Sequence, residues 1–149
     1  MRKQSNRLLS QEDHLPRQLT TFVGRSQEIA EITSLLAEPT CRLLTLVGMG
    51  GSGKTRLALE TAARLGPQFP DGVYFAPLQA VPSPELLTPA IADALDLTLT
   101  GHDEPQIQLL NYLRDRTLLL ILDNLEQLLL PPPLYPKRGH LERWPPRKS

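Results

Sequence analysis

The stretch RLLTLVGMGGSGKTRLALETA, residues 42–62, constrains this chain more than any other. An apolar run ends in glycine, the loop GMGGSG follows, and an amphipathic segment begins at once. The run from Arg42 to Gly48 is short, apolar and bounded by glycine, which predicts a buried parallel strand. From Lys54 to Leu65, the residues Leu57, Ala58, Thr61, Ala62 and Leu65 recur at helical spacing, and Gly66-Pro67 stops the helix. A strand that turns through clustered glycines straight into a helix needs a backbone that curls with no Cβ in its way, and glycine supplies that.

Gly48-Met49-Gly50-Gly51-Ser52-Gly53-Lys54-Thr55 fits the pattern G-x-x-x-x-G-K-[ST] of a phosphate-binding P-loop. Phosphate oxygens need several N–H donors at close range. A glycine-rich curl points successive N–H groups inward, and the N-terminal end of the next helix adds its positive dipole. Gly48, Gly50, Gly51, Ser52, Gly53, Lys54, Thr55 and Arg56 form the candidate nucleotide-binding set. Lys54 reaches the β- and γ-phosphates, and the Thr55 hydroxyl binds Mg²⁺. The competing reading is a glycine-rich turn with a chance Lys-Thr. The strand before it and the helix after it favour the phosphate loop.

The rest of the chain alternates in the same style. SQEIAEITSLLAE carries Ile29, Ile32, Leu35 and Leu36 on one face, with Ser26 as its N-cap and Pro39 closing it. GVYFAPL (Gly72 to Leu78) is a second strand. Ser83-Pro84-Glu85 opens a helix, which either kinks at Pro89 or starts instead at Thr88. Ile107, Leu110 and Leu113 mark a further helix. TLLLILDN (Thr117 to Asn124) is the strongest strand signal, and LEQLLL begins a helix that the prolines at 131–133 cut off. This order predicts an α/β fold with a parallel sheet and helices on both faces.

Asp123 closes the LLLIL run, at the carboxyl edge where open α/β sheets bind ligands. In a P-loop protein a carboxylate there joins the Mg²⁺ shell; alternatively it caps the following helix, and the two roles are compatible. Many P-loop ATPases place a glutamate next, to activate water. Here Asn124 stands there and cannot take a proton. Glu126, two residues on, is the remaining candidate base, or a plain helix-face residue. With Lys54 and Asp123 as the other catalytic candidates, the pattern predicts slow or absent ATP hydrolysis.

Composition narrows the remainder. Sixteen basic and sixteen acidic side chains cancel, which gives no support for general nucleic-acid or acidic-membrane binding. Cys41 is the single cysteine, so no internal disulfide forms, and a cytoplasmic location is expected. The three histidines are scattered without metal-ligand spacing. Residues 1–14 are polar and aperiodic and are read as a disordered lead, residues 15–130 as the domain. Residues 131–149, PPPLYPKRGHLERWPPRKS, are read as a disordered Pro/Arg-rich tail.

LPRQLTTFVGR, LLTLVGMGGSGKTRLALETA and TLLLILDNLEQLL together resemble the signal-transduction ATPases with an NB-ARC domain, more narrowly the bacterial members within transcriptional regulators. The likeness spans Leu15 to Leu130. It implies that Phe22, Val23, Gly24 and Arg25 pack beside the adenine of ATP or ADP. It also implies a nucleotide-held switch that exchanges ADP for ATP and self-associates. The family follows its Arg with an acidic residue; here Ser26 follows. In that family a further strand after Leu130 lies between the P-loop strand and the Asp123 strand, and nothing in this chain matches it. The resemblance therefore implies an incomplete P-loop NTPase, with a reading-frame shift near Leu129 to Pro132 as one origin. Two other readings stand beside the ATP/ADP switch. One is a fragment that associates with intact relatives without binding nucleotide; the other is a P-loop enzyme that phosphorylates a small molecule.

Overall fold

A computed structural model of the chain describes residues 15–16 and 23–129. The expectations for residues 1–14, for Phe22 and for 131–149 lie outside the described residues. The elements are α1 (Ser26–Ala37), α2 (Lys54–Leu65), β1 (Val73–Pro77), α3 (Leu87–Ala94), α4 (Pro105–Arg114), β2 (Leu119–Asp123) and α5 (Glu126–Leu129). Short 3-10 turns at Gly66–Gln68 and Pro84–Leu86 lead out of α2 and into α3.

β1 and β2 pair in parallel, in register from Val73 opposite Leu119 to Pro77 opposite Asp123. They form the two-stranded sheet of the described residues, consistent with an incomplete α/β fold. Proline lacks the donor a ladder needs, and Pro77 is accommodated as the last strand residue. The register is locked at both ends. Thr117 N–H donates to the Asp71 carboxylate at 2.7 Å, and Leu78 N–H donates to Asp123 O at 2.9 Å. The second bond fixes the carboxyl end of β2, where Asp123 sits.

Two apolar clusters cover this sheet from α3, α4 and α5. Ala76, Leu78 and Leu128 pack with Leu87, Ala90, Leu120 and Leu122. Ile91, Leu95 and Leu109 pack with Tyr74, Leu113 and Leu118. A third cluster joins α1 to α2 through Ile29, Ile32 and Leu57, with Leu44 and Leu46 laid against it. In α2 the buried Thr61 hydroxyl donates back to Leu57 O at 2.8 Å, so it costs the core no unpaired group.

Two expectations need correction, and two are sharpened. Arg42 to Gly48 joins no ladder among the described residues. Period-two alternation explains its half burial: Leu44 and Leu46 face α1 and α2, while Leu43 and Val47 are 83% and 90% exposed. An apolar run becomes a strand only where a neighbour accepts its backbone bonds, and none of the described residues does so. Ser26 is the first residue of α1, not its cap; the N-cap is Arg25, left-handed at φ 59°, with no side-chain cap. Of the two readings around Pro89, the later start holds to within one residue: α3 starts at Leu87 after the 3-10 turn at Pro84–Leu86, so Pro89 falls in the first turn, where its missing N–H disrupts nothing. The helix marked by Ile107, Leu110 and Leu113 is α4, in which Leu109 is the buried residue while Ile107 and Leu110 are exposed.

Candidate functional site

The glycine loop enters α2 at Gly53, whose φ of 80° lies in the left-handed region, as does Gly51 at 76°. These values favour glycine, because a Cβ at such angles crowds the following carbonyl. Around Gly50 and Gly51 no described atom approaches within 4 Å of where a Cβ would stand, so this side of the loop is open. Gly48 is different: a Cβ there would lie 3.1 Å from Ser52 Oγ. Its requirement is close approach, not backbone angle.

Lys54, the first residue of α2, folds its ammonium back across the loop. Nζ donates to Gly48 O at 2.7 Å and to Met49 O at 2.9 Å. This holds the positive charge at the mouth of the curl. Ser52 N–H closes a turn onto Met49 O at 3.1 Å. The N–H groups of Gly51, Gly53, Lys54 and Thr55 have no backbone acceptor among the described residues. An exposed cluster of donors at a helix N-terminus, with an ammonium beside it, is chemistry suited to a phosphate group.

Thr55 Oγ1 donates to Asp123 Oδ1 at 2.7 Å, across 68 positions of sequence. A hydroxyl and a carboxylate this close offer two hard oxygen ligands, the type Mg²⁺ takes in a phosphate site. The donor set therefore fits a Mg-nucleotide: loop N–H groups and Lys54 for phosphate, Thr55 and Asp123 for the metal.

The other candidates are placed less centrally. Asn124 turns the chain out of β2 with φ 61°. Its amide donates weakly to Glu126 Oε1 at 3.4 Å, and Glu126 is exposed at the start of α5. Arg56 follows on the first turn of α2 and is half-buried. Val23 is 84% exposed and Gly24 is left-handed at φ 84°. Arg25 reaches the loop instead: Nη1 donates to Ser52 O at 2.8 Å, while Nε donates to Glu28 Oε1 at 2.9 Å. The Arg25 hydrogen bond holds the Glu28 carboxyl below its ordinary pKa, helped by Glu28's own backbone N–H. Sequence reasoning missed Glu28, although its spacing of three from Arg25 at a helix start was a usable signal. It also missed Gln127, whose amide donates to Leu78 O at 2.6 Å and ties α5 to the end of β1.

A parallel α/β core, a glycine loop opening a helix, and a strand-end carboxylate bonded to the loop threonine define the P-loop NTPase class. Within it, this chain belongs to the AAA ATPase domain family, whose model matches residues 21–130. An uncharacterized protein of Mycobacterium tuberculosis is 32% identical over 123 residues, covering 83% of this chain and 31% of that protein. An uncharacterized WD repeat-containing protein of Nostoc sp. is 32% identical, over 74% of this chain and 10% of its own length. A putative HTH-type transcriptional regulator of M. tuberculosis is 34% identical over 88 residues, covering 59% of this chain and 10% of the regulator. The chain thus spans from a tenth to under a third of the length of these curated relatives. No solved structure matches it. No helix among the described residues is long and apolar enough to cross a membrane.

Proposed function

We propose that this chain is an ATP/ADP-binding switch module of the kind used by signalling and transcription-regulating ATPases. The observation that carries the reading is the Thr55–Asp123 hydrogen bond of 2.7 Å beside the Lys54-capped glycine loop. It brings together, across 68 positions of sequence, two oxygens of the type that a Mg-nucleotide would take. The loop N–H groups and Lys54 take the phosphates. Thr55 and Asp123 would hold Mg²⁺, which would supply neutralisation of charge on the phosphate oxygens. Asn124 cannot act as a base, and Glu126 is an exposed carboxylate off the β2 end, so hydrolysis is slow and the bound nucleotide sets the state. The likeness to an HTH-type regulator supports a place in transcriptional signalling.

The test is thermal unfolding with Mg-ADP, with Mg-ATP and without ligand, beside Lys54→Ala. A ligand specific for the folded chain adds about 2.7 kcal/mol at roughly a hundred times its dissociation constant. The expected result is an upward shift that Lys54→Ala abolishes. A transition indifferent to nucleotide defeats the proposal. It would favour the second reading, association through the 42–47 segment, which joins no ladder among the described residues and whose bare Leu43 and Val47 side chains support it.

A further inference from the structure

Arg25 combines three features that a surface arginine has no need of. Its backbone is left-handed, at φ 59° and ψ 24°, directly after the left-handed Gly24. For a residue with a Cβ this costs about 1 kcal/mol, and such strain persists where its surroundings hold it. Its guanidinium is forked between two acceptors, Glu28 Oε1 and Ser52 O. Its carbonyl accepts Ile29 N–H at 3.0 Å in the first turn of α1. Because Ile29 and Ile32 pack on Leu57 of α2, the base of the Arg25 side chain is fixed relative to the helix that the loop enters.

The acceptor on the loop is telling. The α2 ladder begins with Leu57 N–H to Gly53 O at 2.9 Å, one residue past Ser52 O, which is left for Arg25. In a trans peptide the carbonyl and the following N–H point to opposite sides of the C–N bond. Holding Ser52 O against Arg25 therefore turns the Gly53 N–H away from Arg25. Gly53 is itself a left-handed joint of the loop, a glycine at φ 80°. Among the described residues, its close neighbour on the Cβ side is Arg25 Nη1, at 3.5 Å. Glu28 meanwhile pairs the Arg25 charge, so the guanidinium acts on the loop through geometry more than through its field.

We infer that Arg25 is a positioning residue for phosphate: by pinning the Ser52–Gly53 peptide plane it keeps the Gly53 N–H aimed at the anion. This rests on the nucleotide-binding reading and assigns Arg25 to the phosphate end of the ligand, not to the base. Calorimetric titration of the full chain with Mg-ADP and, separately, with Mg-pyrophosphate tests it, on wild type, Arg25→Ala and Arg25→Lys. Arg25→Ala is expected to weaken both ligands by the same factor, about tenfold, and Arg25→Lys, which keeps one donor, to recover most of it. Equal affinity in wild type and Arg25→Ala overturns the inference. So does a loss confined to ADP with pyrophosphate unchanged, because that assigns Arg25 to the nucleoside. If Arg25→Ala does not unfold cooperatively, Arg25→Gln, which keeps a donor without charge, takes its place with the same expectation as Arg25→Lys. A wild-type chain that binds neither ligand removes the nucleotide reading itself, and this inference with it.

Discussion

The two halves of the molecule handle the same raw material in opposite ways. In one, Val73 to Pro77 and Leu119 to Asp123 pair in register, and α3, α4 and α5 pack on the face that carries Tyr74, Ala76, Leu120 and Leu122, with Leu78 fully buried. In the other, Arg42 to Val47 is equally apolar and lies against α1 and α2, yet it pairs with nothing described and leaves Leu43 and Val47 bare. The difference teaches that apolar character specifies burial of one face, while strand formation needs a partner for the backbone. The candidate site straddles the boundary: Lys54 and Thr55 belong to the unpaired half, Asp123 to the paired one. One hydrogen bond, Thr55 to Asp123, joins them at the chemistry itself.

The sharpest way to break this contrast is to truncate one apolar side chain in each half. Leu78→Ala should cost about 3 kcal/mol in chemical denaturation, whereas Val47→Ala should stay within about 0.5 kcal/mol. Comparable losses would show that Val47 is covered in solution and that the halves are alike. Hydrogen exchange asks the same of the backbone. Amides of 43–47 should exchange on the order of a hundredfold faster than those of 119–123, since no described acceptor protects them. Equal protection would mean the segment finds a partner strand.

A smaller effect probes the loop between the halves. Gly51→Ala puts a Cβ into open space, so its cost is the φ of 76° alone, about 1 kcal/mol in denaturation. Because the cost arises where the loop curls, the same variant should also lose stabilisation by Mg-ADP. Retained stabilisation would show the curl is not what the ligand recognises. The smallest effect concerns Tyr74, in the paired half. Burial pushes its phenol pKa up, with a further push from Tyr112, so the fold favours the neutral form. That contribution is complete below the phenol's ordinary pKa and is lost as pH rises past about 10 toward the folded value. Tyr74→Phe should flatten the alkaline limb of a stability-against-pH curve; an unchanged limb would place the titration elsewhere.

Much of the site is legible in the residues alone. The spacing from Gly48 to Thr55 and the position of Asp123 after LLLIL are local patterns, and the fold brings Thr55 within 2.7 Å of Asp123 and folds Lys54 back on the glycine loop. α2 begins at Lys54 and ends at Leu65, because a left-handed glycine starts it and Gly-Pro ends it. The sequence misleads where local pattern underdetermines the answer. Ile107 and Leu110 have the spacing of a buried stripe, but which side of α4 is buried depends on where the sheet lies. Resemblance assigns Arg25 to the adenine, while its distance to Ser52 O depends on how α1 packs on α2.

By itself, then, the sequence determined most of the helices, the glycine joints and the inventory of candidate phosphate and metal ligands, because propensity, φ preference and side-chain chemistry are carried by neighbours along the chain. The tertiary structure alone decided which apolar run became a strand, that Thr55 and Asp123 meet across 68 residues, and that Arg25 grips the loop. Those depend on hydrogen-bond partners and packing surfaces contributed by distant segments, and no local pattern encodes a partner that lies elsewhere in the chain.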